Sequence, residues 1–216
     1  MNMKINIARF RFLVGAGVLL AFVCAGCGGD DHQAEHQTPG SNVADATSTE
    51  HDHHTPAGST TLAGVSFQPP AAWQDLGPSG MRQAQYRLAA VEGDPAPAEV
   101  NVFYFGAESG GGVDANLQRW IGQMVLPDGG DPASVAERST FTADGMAGHL
   151  VSLNGSYKAG GGRPMGGGGE IFAGYRLVGV VIEGPQGSLF FKLTGPAATA
   201  AAMEDDLLAM VKNARK

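Results

Sequence analysis

Cysteine is almost missing from this chain: it has two, Cys24 and Cys27. Both stand near the start, so no disulfide can brace the rest, whose stability has to come from burying a core. Basic side chains are scarce as well, 14 Lys and Arg against 21 Asp and Glu, for a formal net charge of −7. That balance argues against tracking nucleic-acid phosphates and against clinging to anionic lipid by charge. Catalytic signatures are lacking: there is no Gly-x-Ser-x-Gly elbow, no His-Glu-x-x-His pair and no cysteine nucleophile after Cys27. The glycine run Ala159–Gly169 is not followed by Gly-Lys-Ser/Thr, so it is no P-loop. Carboxylates are scattered through turns and propose no glycosidase pair. On these absences the expectation is a protein that is not an enzyme and needs no cofactor. Long hydrophobic runs are lacking too; Phe12–Val23 falls short of the ~20 apolar residues of a transmembrane helix.

What is present begins with that run. Lys4, Arg9 and Arg11 precede it, as in the positive region of a secretory signal peptide. Cys24-Ala25-Gly26-Cys27 follows it and resembles the bacterial lipobox, in which small residues precede a cysteine that becomes the lipidated first residue. Cys24 departs from the pattern, since that position usually holds Leu or another aliphatic. The resemblance implies a leader over residues 1–26, a lipid on Cys27 and a cell-envelope location, with the domain facing the periplasm or exterior. The other reading is an ordinary signal peptide cut near Ala25 or Gly26, which leaves Cys27 as a free thiol. Losing Lys4, Arg9 and Arg11 with the leader takes the net charge from −7 to −10. The partners expected are the membrane, through the anchor, and an envelope protein or small ligand, but no nucleic acid.

Residues 27–61 read as a disordered tether. Gly28–Thr61 has no Lys, Arg or aromatic residue, and its Ser, Thr, Gly, Pro, Ala, Asp and His cannot bury enough apolar surface to fold. Such a chain spans about 30–35 Å root-mean-square. His32, His36, His51, His53 and His54 all lie in it. His51, His53 and His54 form the one cluster with metal-ligand chemistry, since neutral imidazoles bind Zn²⁺, Cu²⁺ or Ni²⁺. Two readings stay open, a metal-handling tail and a solvated spacer that lacks the second shell a metal site needs.

Residues 62–216 read as one globular domain. Val65–Phe67 is an entry strand stopped by Pro69 and Pro70, with Trp73 a core anchor beyond the corner. Met81–Ala90 alternates as a half-buried strand. Glu99–Phe105 is β-branched and aromatic, Ser109–Gly112 stops it, and Val113, Leu117, Trp120, Ile121 and Met124 then recur at helical spacing. Asn116, Gln118, Arg119 and Gln123 fall on the opposite, polar face of that helix, which Pro127–Asp131 is expected to end. A buried Trp120 removes about 200 Å² from water, worth at most about 5 kcal/mol. Asp144-Gly145 predicts a hairpin between Glu137–Thr142 and Gly148–Ser156, and Gly184–Gly187 predicts a second, joining Tyr175–Ile182 to Ser188–Thr194. A last helix follows Pro196, with Met203, Leu207, Met210 and Val211 inward. The fold class predicted is α+β, an antiparallel sheet of about six or seven strands covered by two main helices.

This order of elements, with Phe67, Pro69 or Pro70, and Trp73 at its opening, resembles the PsbP-like α/β/α sandwich. Asn116–Gln123 (NLQRWIGQ) and Phe190–Pro196 (FFKLTGP) resemble signatures of an uncharacterised family of bacterial secreted proteins frequent in planctomycetes. Both are packing signatures and imply no activity, and no residue here matches the metal sites of the photosynthetic members. Arg119, Arg176 and Lys192 are the candidate binding surface; Arg176 and Lys192 lie on adjacent strands and either face a pocket or stand on a solvated sheet face, and Arg119 is either a cation presented on the helix face or an exposed neighbour of a core Trp120. His149, the one histidine of the domain, is expected to be structural or at the surface. The functional expectation is a membrane-anchored, non-catalytic binding or interaction module, with metal handling as the alternative.

Overall fold

The computed structural model describes residues 58–160 and 169–216. The leader, Cys27, the five tether histidines and residues 161–168 of the glycine run lie outside the described residues.

The chain enters through a hairpin of β1 (Thr60–Leu62) and β2 (Val65–Phe67), so the fold begins two residues inside the expected tether. Ala63 and Gly64 turn it with φ of 50° and 75°, the left-handed pair that a two-residue hairpin demands. β3 (Gln74–Asp75), β4 (Arg82–Leu88) and β5 (Ala98–Tyr104) follow, then α1 (Val113–Ile121) and β6 (Met124–Val125). A 3₁₀ turn at Pro132–Ser134 leads to β7 (Glu137–Ala143), β8 (Met146–Lys158), β9 (Ile171–Gly184), β10 (Gly187–Pro196) and α2 (Ala197–Lys212). One eight-stranded sheet runs β3-β4-β5-β10-β9-β8-β6, with β7 also on β8. Every pairing is antiparallel.

This is the α+β class predicted, with more strands than expected. The additions are two- and three-residue pieces, β1, β3 and β6, too short to show a period. Both hairpins stand where their turn residues place them: Asp144 and Gly145 have φ of 48° and 75°, and Pro185-Gln186 joins β9 to β10.

Alternation along the strands builds two cores. Tyr86, Val100, Val102, Val178, Val180, Ile182, Leu189, Phe191 and Leu193 point to one face, where Trp73, Phe67 and α2 cover them. Met203, Leu207, Met210 and Val211 form the buried stripe of α2, as predicted. On the other face α1 lays Leu117, Trp120 and Ile121 over Val151, Leu153, Leu177, Val181 and Phe190. Gly179 makes room there, for a Cβ on it would stand 2.6 Å from Trp120 Cζ3.

Two details of α1 correct the sequence reading. The helix stops at Ile121 with Gly122 as C-cap, and Met124, placed on its stripe, instead starts β6 against Tyr157. Asn116, expected on the polar face, is 1% exposed. Its Nδ2 donates to the carbonyls of Gly110 at 2.7 Å and Gly112 at 3.0 Å, holding the glycine turn to the helix. The entry hairpin is also tied to the far end of the chain. Ser66 and Arg215 exchange backbone hydrogen bonds of 2.7 and 2.9 Å, and Lys216 N donates to Asp144 Oδ2 at 2.9 Å.

Candidate functional site

β10 reads Phe190-Phe191-Lys192-Leu193 at the middle of the sheet. Its period of two sends Phe191 and Leu193 into the α2 core and leaves Lys192 beside Phe190 on the α1 face. Register sets Lys192 between Asn101 of β5 and Gly179 of β9. On this central strand the ammonium is 9% exposed. Its Nζ donates to Gln123 Oε1 at 2.5 Å and to the Tyr157 hydroxyl at 2.8 Å, and lies 4.7 Å from the Tyr157 ring centroid. Gln123 sits in the turn after α1, and Tyr157 follows the irregularity at Gly155 in β8.

Burial pushes the Lys192 amine down to about 7, helped by the charges of Arg119 and Arg82. Burial also raises the Tyr157 phenol, against the pull of Arg82. Arg119 comes from the last turn of α1, and its Nη2 donates to Asn116 Oδ1. Arg82 reaches this face because β4 bulges between Arg82 and Ala84, which sets it opposite Phe103. Its Nη1 donates to Gln85 Oε1 at 2.8 Å, and Gln85 in turn donates to Gly77 O at 3.0 Å.

These three cations share a property. Among the described residues their side chains bond only amide oxygens and a phenol, never a carboxylate. Arg87, Arg138 and Arg176 each meet one, at Glu99, Asp114 and Glu204. Beside Lys192, Asn101 Oδ1 is buried without a hydrogen-bond partner, a desolvation cost of about 1–3 kcal/mol.

The structure therefore sets Arg119 within electrostatic reach of Lys192 and turns Arg176 to the other face. Arg176 lies opposite Gly195 and Gly179 opposite Lys192. The odd offset along β9 turns the two basic chains to opposite faces. On the α2 side Arg176 grips Glu204 through Nε at 2.6 Å and Nη2 at 3.0 Å, and reaches Ser152 Oγ at 3.2 Å. It is a clasp between sheet and helix, and Arg176 faces neither a pocket shared with Lys192 nor open solvent. Arg82, Gln123 and Tyr157 were not legible as site residues. The one available signal was a lysine inside the apolar run FFKLT.

His149 also lies on the α1 face. Its Nε2 is 3.1 Å from Glu183 Oε1, beside a hollow of about 310 Å³ that Asp114, Leu117, Arg138 and Thr140 help to line. Among the described residues no hydroxyl hydrogen-bonds its ring, and no three His, Cys, Asp or Glu side chains gather as metal ligands. His51, His53 and His54 lie outside the described residues.

No family model matches the chain, and no curated protein matches it. Among solved structures it is similar to a Pseudomonas aeruginosa protein of unknown function, at 18% identity and a TM-score of 0.40, over 72% of this chain and 93% of that one. It is also similar to CyanoP, the cyanobacterial PsbP of Synechocystis sp. PCC 6803, at 10% identity and a TM-score of 0.41, over 73% and 89%.

Proposed function

We propose that this chain is a lipid-anchored, non-catalytic module of the cell envelope that binds a small solute on the part of its sheet that α1 leaves open. We assign it to the uncharacterised secreted family that its helix and last-hairpin motifs resemble. One observation carries the binding reading. α2 closes its face with apolar contacts, whereas the central strands opposite present Gln85, Asn101 and Lys192, all set back from bulk solvent. An apolar trio there would cost less to bury, since an unpaired buried polar group or charge is expensive. The burial of Lys192 also favours a solute over a protein partner, because a flat surface would not reach an amine that is 9% exposed.

A thermal-shift screen of the mature chain, run with neutral, cationic and anionic solutes, tests the reading. The expected result is a rise in Tm with a subset of one class, abolished by Lys192→Met. No rise with any solute, or a rise that Lys192→Met leaves intact, overturns it.

A further inference from the structure

We propose that the solute is a small anion, a carboxylate or a phosphate, seated between Arg82, Arg119 and Lys192; this rests on the preceding reading of that face. The argument is one of unbalanced charge. Arg119 and Arg82 act on Lys192 as like charges, and among the described residues none of the three is paired with a carboxylate. Elsewhere the fold balances its sheet arginines, with Arg87 2.6 Å from Glu99 and Arg176 2.6 Å from Glu204. The carbonyl end of α1, near Arg119, supplies at most about half a negative charge. A bound oxyanion supplies what is missing. Two guanidiniums offer it planar donor forks, and the buried ammonium adds a point charge set back from water, where such bonds are strong.

The partners of the three cations are suited to yielding. Gln123, Asn116 and Gln85 offer neutral amide oxygens, which lose less than a carboxylate when a cation turns to a ligand. Arg82 and Arg119 are exposed, while Lys192 is buried on the same face of the sheet. Protonation is linked to binding. Arg119 from α1 and Arg82 from β4 act on Lys192 as charges, the Tyr157 phenol from β8 bonds it, and Glu99 of β5, two residues from Asn101 on the same face, is held by Arg87. An anion favours the ammonium over the amine, so binding takes up a proton near neutral pH and weakens as pH rises from 6 to 9.

Calorimetric titration of the mature chain at low ionic strength, with sodium phosphate and sodium acetate against sodium chloride, decides the matter. The expected result is saturable binding of phosphate, acetate or both, with the stronger arm naming the chemistry. Affinity is expected to fall about tenfold or more in Arg119→Gln and in Arg82→Gln, both exposed and not expected to disturb folding, and in Lys192→Met. No heat beyond the chloride control, or affinities unchanged in the two arginine variants, overturns the anion. If neutral or cationic solutes raise Tm while neither anion binds, the anion fails and the binding face stands. If nothing of any class binds, both fail.

Discussion

At the scale of the residue, Lys192 governs how the fold responds to pH. Its amine titrates near 7 in the folded chain against 10.5 for an ordinary lysine. Between those values the unfolded chain holds a proton that the folded one lacks, so stability rises with pH across that window and the penalty is greatest below it. Urea unfolding should show ΔG rising by on the order of 2 kcal/mol from pH 7 to pH 9. In Lys192→Met that rise should vanish, and a slope unchanged in the variant would show that another group carries it. Tyr86, Tyr157 and Tyr175, whose phenols are all raised by burial first, act with the opposite sign only above pH 10. Sequence reading reached Arg119 and Lys192 because cations beside apolar runs are conspicuous. It put Arg176 with them because the face of a strand residue depends on a register that composition does not set. It missed Arg82 because one bulge reverses the side on which that residue emerges.

At the scale of the element, the two helices are held by different means. α1 depends on a glycine platform: Gly179 lies under the Trp120 ring and Gly110 packs against Phe105 and Phe190. α2 adds a charge clasp to its apolar stripe, since Arg176 and Glu204 have side chains only 17% and 15% exposed. Arg176→Ala leaves Glu204 half-buried and unpaired, and should cost about 2–3 kcal/mol in chemical denaturation, less than a fully buried pair. Restoring wild-type stability by adding Glu204→Gln would point to the orphaned charge; a loss below 0.5 kcal/mol, typical of surface pairs, would refute the clasp. The helices were legible from their periods, and the hairpins from Asp-Gly and Pro-Gln-Gly. The end of α1 was not, because Met124 continues the helical spacing while Gly122 has already released the backbone to pair with β8.

At the scale of the whole molecule, the α+β class was readable because hairpin-linked strands and two amphipathic helices admit few layerings. The strand count was less so, since two-residue strands leave no pattern. The proposed anchor is a separate matter, resting on the leader-like residues 1–26 and not on the fold. If Cys27 is lipidated, mass spectrometry of protein from its native host should find acyl chains on a mature chain starting at Cys27. Cys27→Ala should release it from membranes; a bare Cys27 in the native protein would refute the anchor.

The bond between Ser66 and Arg215 has a practical corollary. Phe67, one position on, packs edge-on against Phe191 at 5.2 Å, on the side of the sheet away from Lys192. A dye or affinity handle fused after Lys216 would thus sit beside the strand where the leader-side chain joins the body. It would leave the cationic cluster free, and traction applied to such a handle would load the entry hairpin through Ser66 and the β7–β8 turn through Asp144.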